Sequence, residues 1–322
     1  FGTMARNVGW KRCIVTTIDT WVFSTLKFFD FFLRWAGPVF VVIAVVLISG
    51  VIWTWFNYVL PTLAEPKSFL QLVHIMIANF LIFNVFFNYF MTLFTRPGNP
   101  PEDYGMTCDV ENGRGEETKY WDGFGRFCKK CRKPKPPRTH HCSVCGKCVL
   151  KMDHHCPWVS NCVGFRNYRT FFLFMFWLWL GCIYVLGTTA LPFFRSIRMS
   201  HTWPPPPPVE GATALTFSFV LAASICLALG MLMSWHVYLI LSSQTTIEWY
   251  NNRMRAAEAR KMGVRWRNEW DVGYYHNAAS VLSVGGPNTH WIWWLLPSTL
   301  PPHGDGTTFL TRGPGGALSH HP

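Results

Sequence analysis

The chain has 322 residues, of which half are hydrophobic, 17% aromatic and only 14% charged. Soluble domains carry roughly 25% charged residues, so this composition excludes an ordinary soluble globular protein. The formal net charge of +12 raises nucleic acid as a partner, and the placement of that charge along the chain decides the matter.

Residues 1–36 read as a cytosolic N-terminal segment. Thr20, Ser24, Lys27, Asp30 and Arg34 recur at helical spacing opposite Trp21, Phe23, Phe28, Phe31 and Phe32. This is the two-faced pattern of an amphipathic helix lying in the membrane interface. Four stretches then run without fixed charge: Trp35–Ala64, Ser68–Thr95, Thr170–Phe194 and Gly211–Ile247. Each exceeds the ~20 residues that cross a bilayer core. They predict transmembrane helices over residues 37–60, 68–94, 170–194 and 213–242.

Lys and Arg number five in residues 1–36, fourteen in 96–169 and seven from 248 onward, against one in 65–67 and two in 195–210. Basic residues collect on the cytosolic side of membrane proteins. Both termini and the 96–169 loop are therefore expected in the cytosol. The 195–210 connection, with its proline run 204–208, is expected in the lumen. Topology and anionic lipid account for the basic excess, and nucleic acid drops out as a partner. Residues 243–322 form the cytosolic C-terminal domain, helix-prone and basic over Asn251–Arg267. From about Pro301 onward the composition predicts a poorly ordered tail.

The 96–169 loop has a core, residues 128–162, that holds seven cysteines and four histidines: Cys128, Cys131, His140, His141, Cys142, Cys145, Cys148, His154, His155, Cys156 and Cys162. Cys128/Cys131, Cys142/Cys145 and Cys145/Cys148 have the spacing of zinc knuckles, and structural zinc takes four closed tetrahedral ligands. Two ions need eight of the eleven residues. Spacing alone does not say which residue joins which ion, or which three stay free. The fold class expected is an all-α multi-pass membrane protein, four transmembrane helices with a cytosolic two-zinc domain between spans two and three.

The run Asp153-His154-His155-Cys156 adds a chemical possibility. A cysteine attacks as the thiolate, a neighbouring histidine can take its proton, and an aspartate can orient the imidazole. A thiolate already bonded to zinc is blunted, so the nucleophile should be a free one.

Residues 153–158, together with Lys135–Arg138, Thr139–Cys142, Asn161–Gly164 and, after the fourth span, Thr245–Glu248, resemble the DHHC protein S-acyltransferases. The last of these matches that family's Thr-Thr-x-Glu motif. Ala228–Gly230, Trp235-His236, Leu295–Ser298 and Pro302–Gly304 resemble the subgroup typified by its sixteenth member. The resemblance implies one zinc on Cys128, Cys131, His141 and Cys148, and a second on Cys142, Cys145, His155 and Cys162. It implies Cys156 as nucleophile, His154 as base, Asp153 as its partner and Thr246 as a contact of Asp153. Thr245 and Glu248 would tie the fourth span to the zinc domain.

By the same resemblance the donor is a long-chain acyl-CoA such as palmitoyl-CoA, and the acceptors are cytosolic cysteines of membrane-associated proteins at the endoplasmic reticulum or Golgi. Trp158, Phe171 and Phe174 are candidates for the acyl chain, and Arg126, Lys135 and Arg138 for the CoA phosphates. The family's C-terminal motif is met by Asn277 and Val281, but Leu282 and Ser283 stand where it has an aromatic residue and Gly. A non-enzymatic zinc-stabilised membrane scaffold is the competing class, and it predicts no acylation of Cys156.

Overall fold

The computed structural model describes residues 30–105, 127–200, 211–284, 290, 294, 296–312 and 318–321. Among them, four helices are long and apolar enough to cross a membrane: α1 (Asp30–Leu63), α2 (Phe69–Phe94), α3 (Tyr168–Ser200) and α4 (Ala212–Leu241). The protein is a multi-pass membrane protein. An α-helix satisfies its backbone polar groups internally, which apolar surroundings demand. In the most apolar stretch of α3, 44% is buried, against 11–17% for the other three. α3 is therefore the axis on which α2 and α4 pack.

The helix starts and stops follow local chemistry. Ser68 caps α2 by accepting a 3.1 Å hydrogen bond from the Gln71 amide. α1 widens into a π turn at Trp55–Val59, just before Pro61, which has no N–H to donate. Of the expected interfacial helix, residues 1–29 lie outside the described residues, and 30–36 run on into α1 as one helix. Gly37-Pro38 does not break that helix. Gly37 instead makes a close packing contact, because a Cβ there would overlap Ser160 Oγ. The proline run 204–208 lies outside the described residues.

Between α2 and α3 the chain folds into three short antiparallel hairpins. β1 (Phe127–Cys128) pairs with β2 (Lys133–Pro134), β3 (His140–Cys142) with β4 (Lys147–Val149), and β5 (His154–Cys156) with β6 (Asn161–Val163). Gly164 follows β6 where a Cβ would meet Val149 and the carbonyl oxygens of Leu150 and Pro97, so only glycine fits this crossing. Asn161 Nδ2 donates to the carbonyls of Thr92 and Thr95 at 3.1 and 2.9 Å. Asn167 Nδ2 reaches Thr95 O at 3.4 Å and also donates 2.8 Å to Cys162 O. Two side-chain amides thus serve the end of α2, whose last carbonyls have no partner within the helix.

The C-terminal region contains α5 (Thr246–Lys261), α6 (Tyr274–Leu282) and a hairpin of β7 (Phe309–Arg312) with β8 (Leu318–His321). Asn277 Nδ2 donates 2.8 Å to Leu241 O, and Asn268 Nδ2 2.8 Å to Ser242 O, closing the end of α4. Of the segment from Pro301, expected to be poorly ordered, the described residues 301–312 instead pack on the cysteine-rich domain through Phe309. Phe309 lies 5.0 Å from the Arg138 guanidinium and within ring contact of Phe165 and Trp270. An aromatic side chain stacked on a buried cation gives the tail a docking point that its Gly- and Pro-rich composition conceals.

Candidate active site

Hairpin register assembles two sets of metal-binding residues. The pairing sets His141 directly opposite Cys148 and His155 opposite Cys162. In each turn, the amide three residues after a knuckle cysteine points at its sulfur: Cys131 N to Cys128 Sγ and Cys145 N to Cys142 Sγ, both 3.3 Å. The result is two tetrads, Cys128/Cys131/His141/Cys148 and Cys142/Cys145/His155/Cys162, whose donor atoms all lie within 4.8 Å of one another.

The geometry suits zinc. Bonds of about 2.0–2.3 Å in a tetrahedron place ligand atoms about 3.4–3.8 Å apart. In the first tetrad Cys128, Cys131 and Cys148 Sγ lie 3.6, 3.2 and 3.9 Å from His141 Nδ1. In the second, Cys142, Cys145 and Cys162 Sγ lie 3.8, 3.4 and 3.5 Å from His155 Nδ1. Three soft thiolates and one imidazole form a closed set, the donor chemistry of structural zinc.

Cys156 stands outside both tetrads and is 7% exposed, in a cluster with Tyr89, Val159 and Phe171. His154 Nδ1 donates to Asp153 Oδ2 at 2.6 Å, and the imidazole interacts electrostatically with Cys156, two residues along the same strand. Asp153 receives two further bonds from the start of α5. The Thr246 amide donates to Oδ1 at 2.8 Å and the Thr246 hydroxyl to Oδ2 at 3.0 Å. Burial alone would raise the Asp153 pKa, but the bond from His154 and the surrounding donors win and hold it below the ordinary carboxylate value. Burial alone would lower that of His154. Its bond to Asp153 and its interaction with Cys156, with their charges, outweigh this and raise it to about 9. A thiol, an imidazole and a carboxylate thus form one connected line.

α5 is tied to this line by a capping box. Thr245 Oγ1 accepts from Glu248 N at 3.2 Å, and Glu248 Oε2 accepts from Thr245 N at 2.9 Å. The same carboxylate accepts two 2.7 Å bonds from Arg138.

The remaining candidates separate into three groups. Phe171 is buried with its ring 5.3 Å from that of His154, and Phe174 lies 5.0 Å from Tyr89. Trp158 is 48% exposed and packs edge-on against Phe40 at 5.1 Å, while its carbonyl accepts 2.8 Å from the Tyr89 hydroxyl. Lys135 is half-buried, and Arg126 lies outside the described residues. Arg138 departs from the expectation of a phosphate contact. Its guanidinium is committed to Glu248 and to Ser243 O at 2.9 Å, and is sandwiched near Trp270 and Phe309. Burial at 6% exposure leaves it no free face for a ligand. His236 and Tyr168 form a 2.8 Å hydrogen bond beside His154; the sequence marks His236 through the Trp235-His236 resemblance and as an ionisable group in an apolar span, and gives no signal for Tyr168.

The fold and site define a multi-pass membrane protein with a two-metal cysteine-rich domain that presents one unligated, histidine-paired thiol beside its spans. A sequence profile of the DHHC palmitoyltransferases matches residues 122–253. The chain is 35% identical to the palmitoyltransferase ZDHHC16 of Mus musculus over 289 residues, covering 87% of this chain and 76% of that one. It is 39% identical to the probable protein S-acyltransferase 15 of Arabidopsis thaliana over 213 residues, 66% of this chain and 78% of the relative. Palmitoyltransferase ZDHHC2 of Rattus norvegicus is 31% identical over 84% of this chain and 75% of its own. The chain belongs to the DHHC palmitoyltransferase family.

Proposed function

We propose that the protein is a protein S-acyltransferase working in two thioester exchanges. In the first, the Cys156 sulfur attacks the carbonyl carbon of a long-chain acyl-CoA such as palmitoyl-CoA. The new C–S bond replaces the bond to CoA, and His154 holds the thiol proton that the departing CoA thiolate can take. In the second, a cysteine thiol of a membrane-associated protein gives its proton to His154 and attacks the acyl-Cys156 carbonyl; the bond to Cys156 breaks and the departing sulfur takes that proton, restoring the enzyme thiol. One thioester replaces another at each step, so no external energy source is required.

A single observation supports this reading best: of seven cysteines between 128 and 162, Cys156 alone stands outside both tetrads, and it shares a short strand with a histidine held by a carboxylate. The two tetrads would hold two structural Zn²⁺ ions, which supply rigidity to the loop. Asp153 and Thr246 fix the imidazole in place, and Thr245, Glu248 and Asn277 hold the surrounding frame. Trp158, Phe171 and Phe174 are offered as contacts of the acyl chain, for which each buried methylene is worth about 0.8 kcal/mol. Lys135 and Arg126 are offered for the CoA phosphates. The working place is an endoplasmic reticulum or Golgi membrane, with both termini and the 96–169 loop in the cytosol and residues 195–210 in the lumen.

Purified protein incubated with palmitoyl-CoA should become acylated through a hydroxylamine-sensitive bond. Cys156→Ser should abolish this while retaining wild-type zinc content. An unlabelled wild type with its full zinc would instead identify a membrane scaffold.

A further inference from the structure

His236 sits five residues before the end of α4 and is 2% exposed, an imidazole near the end of a predominantly apolar span. Its ring closes a triangle with His154 and Phe171. The centroid separations are 5.3 Å for His154–Phe171, 5.4 Å for Phe171–His236 and 6.1 Å for His154–His236. Its Nδ1 is hydrogen-bonded at 2.8 Å to the hydroxyl of Tyr168, the first residue of α3.

The His154 ring is held at one edge by its 2.6 Å hydrogen bond to Asp153, and it interacts with the Cys156 thiol. Such contacts fix where the nitrogens lie but resist rocking of the ring about the line between them only weakly. That freedom can be removed only by groups packed against the ring, and Phe171 and His236 occupy that place. Phe171 comes from α3 and His236 from α4, so their positions are set by the packing of two spans. The Tyr168 bond then fixes the tilt of the His236 ring itself. An imidazole at this position does what a plain aromatic ring cannot: it packs on its neighbours and is also tethered by a hydrogen bond.

From this arrangement we infer that His236, tethered by Tyr168, is a positioning residue that holds the His154 imidazole in its reactive plane. The inference rests on the acyltransferase reading above and extends it to a residue that touches neither the thiol nor a zinc tetrad. It requires that the ring matters to the acylation step and leaves donor binding alone. Small misplacements of a catalytic group cost on the order of 10- to 100-fold in rate.

The test is single-turnover acylation of the full-length purified protein by palmitoyl-CoA, with zinc content and size-exclusion profile as checks on folding. Three variants are compared: His236→Ala, His236→Phe, which keeps a ring, and His236→Asn, which keeps a polar group for Tyr168. The expected result for Ala and Asn is a limiting rate lowered about 10- to 100-fold, at an unchanged half-saturating palmitoyl-CoA concentration and with wild-type zinc. Phe should fall between Ala and wild type, because it keeps the packing of the ring and loses the hydrogen bond to Tyr168. The inference is overturned if Ala reacts at the wild-type rate, if Asn rescues and Phe does not, or if the change falls on the half-saturating concentration. Should Ala fail to fold, the Phe and Asn pair still decides. A wild type that does not acylate overturns the acyltransferase reading itself, an outcome separate from any of these.

Discussion

Arg138 in the cysteine-rich domain and Glu248 in α5 form a two-pronged ion pair, 2.7 Å at each prong, with side chains only 2% and 9% exposed. The carboxylate also accepts from the Thr245 amide, so it caps a helix and neutralises a buried cation at once. Burial alone would raise the Glu248 pKa, and the charge and hydrogen bonds of Arg138 overcome this and lower it. Removing one partner leaves the other charge buried and unpaired, which costs roughly 3–5 kcal/mol. Glu248→Gln and Arg138→Met should each lower the thermal midpoint of the purified protein sharply. The double variant Arg138→Met/Glu248→Met should recover a large part of the loss, and failure to recover would assign the cost to the cap instead.

The Asp153–Thr246 contact yields a graded prediction. Thr246→Ala removes the hydroxyl bond at 3.0 Å but leaves the amide bond at 2.8 Å, so acylation of Cys156 should slow by about tenfold or less. A hydrogen bond to a charged group is worth about 1.5–3 kcal/mol, and the amide bond that remains keeps most of the positioning of Asp153. Asp153→Asn replaces the acceptor facing His154 Nδ1 and should slow the reaction on the order of 10²- to 10⁴-fold. Equal rates for the two variants in the palmitoyl-CoA assay would contradict this ordering.

Ser283 ends α6 in the left-handed conformation, φ 57°, where the family motif has Gly. The strain of a non-glycine residue there is about 1–2 kcal/mol. Its hydroxyl is buried without a hydrogen-bond partner among the described residues, a further cost. Glycine gives back part of this gain through its greater freedom in the unfolded chain. Ser283→Gly should therefore stabilise the protein by about 1 kcal/mol, read as a raised thermal midpoint, and acylation should be unchanged. Destabilisation would show that the hydroxyl has a partner that offsets the strain.

Lys151 lines a cavity with Tyr168, Leu239 and Thr245, and its ammonium lies 5.9 Å over Phe309. Burial first, and then the charge of Arg138, push its pKa down from 10.5 to about 7, against the weaker pull of Glu248 and Asp153. Between pH 7 and 10.5 the unfolded chain therefore binds more protons at this site than the folded one. Stability contributed here rises with pH across that window and is at its lowest below pH 7. Relative to Lys151→Met, the wild-type thermal midpoint should climb by a few degrees from pH 7 to pH 10. A constant difference between the two would refute the shift.

Much of the site was legible because its parts lie close together in the chain. Cys128 to Cys162 is short, and hairpins with facing residues such as His155 and Cys162 turn sequence spacing directly into a coordination sphere. The spans were legible from their length and lack of charge. What stayed hidden depends on residues far apart in sequence. Arg138 reads as a surface cation until Glu248, 110 positions later, is found against it. Phe309 reads as part of a loose tail until Arg138 and Trp270 are placed beneath it. His236 reads as an interruption in an apolar run because Tyr168, Phe171 and His154 belong to other elements. Periodicity reports one element at a time, and these contacts join several.

The amides of Asn161 and Asn167 reach carbonyls at the end of α2 from a hairpin and a turn that close around Cys162. The second span therefore has no finished end of its own. While the hairpin is unformed, carbonyls at the membrane boundary lack their partners, and the hairpin is held by a metal-binding tetrad. The end of the span and the metal-binding hairpin are thus one structural unit, and a change that opens the tetrad reaches the membrane boundary through two asparagine side chains.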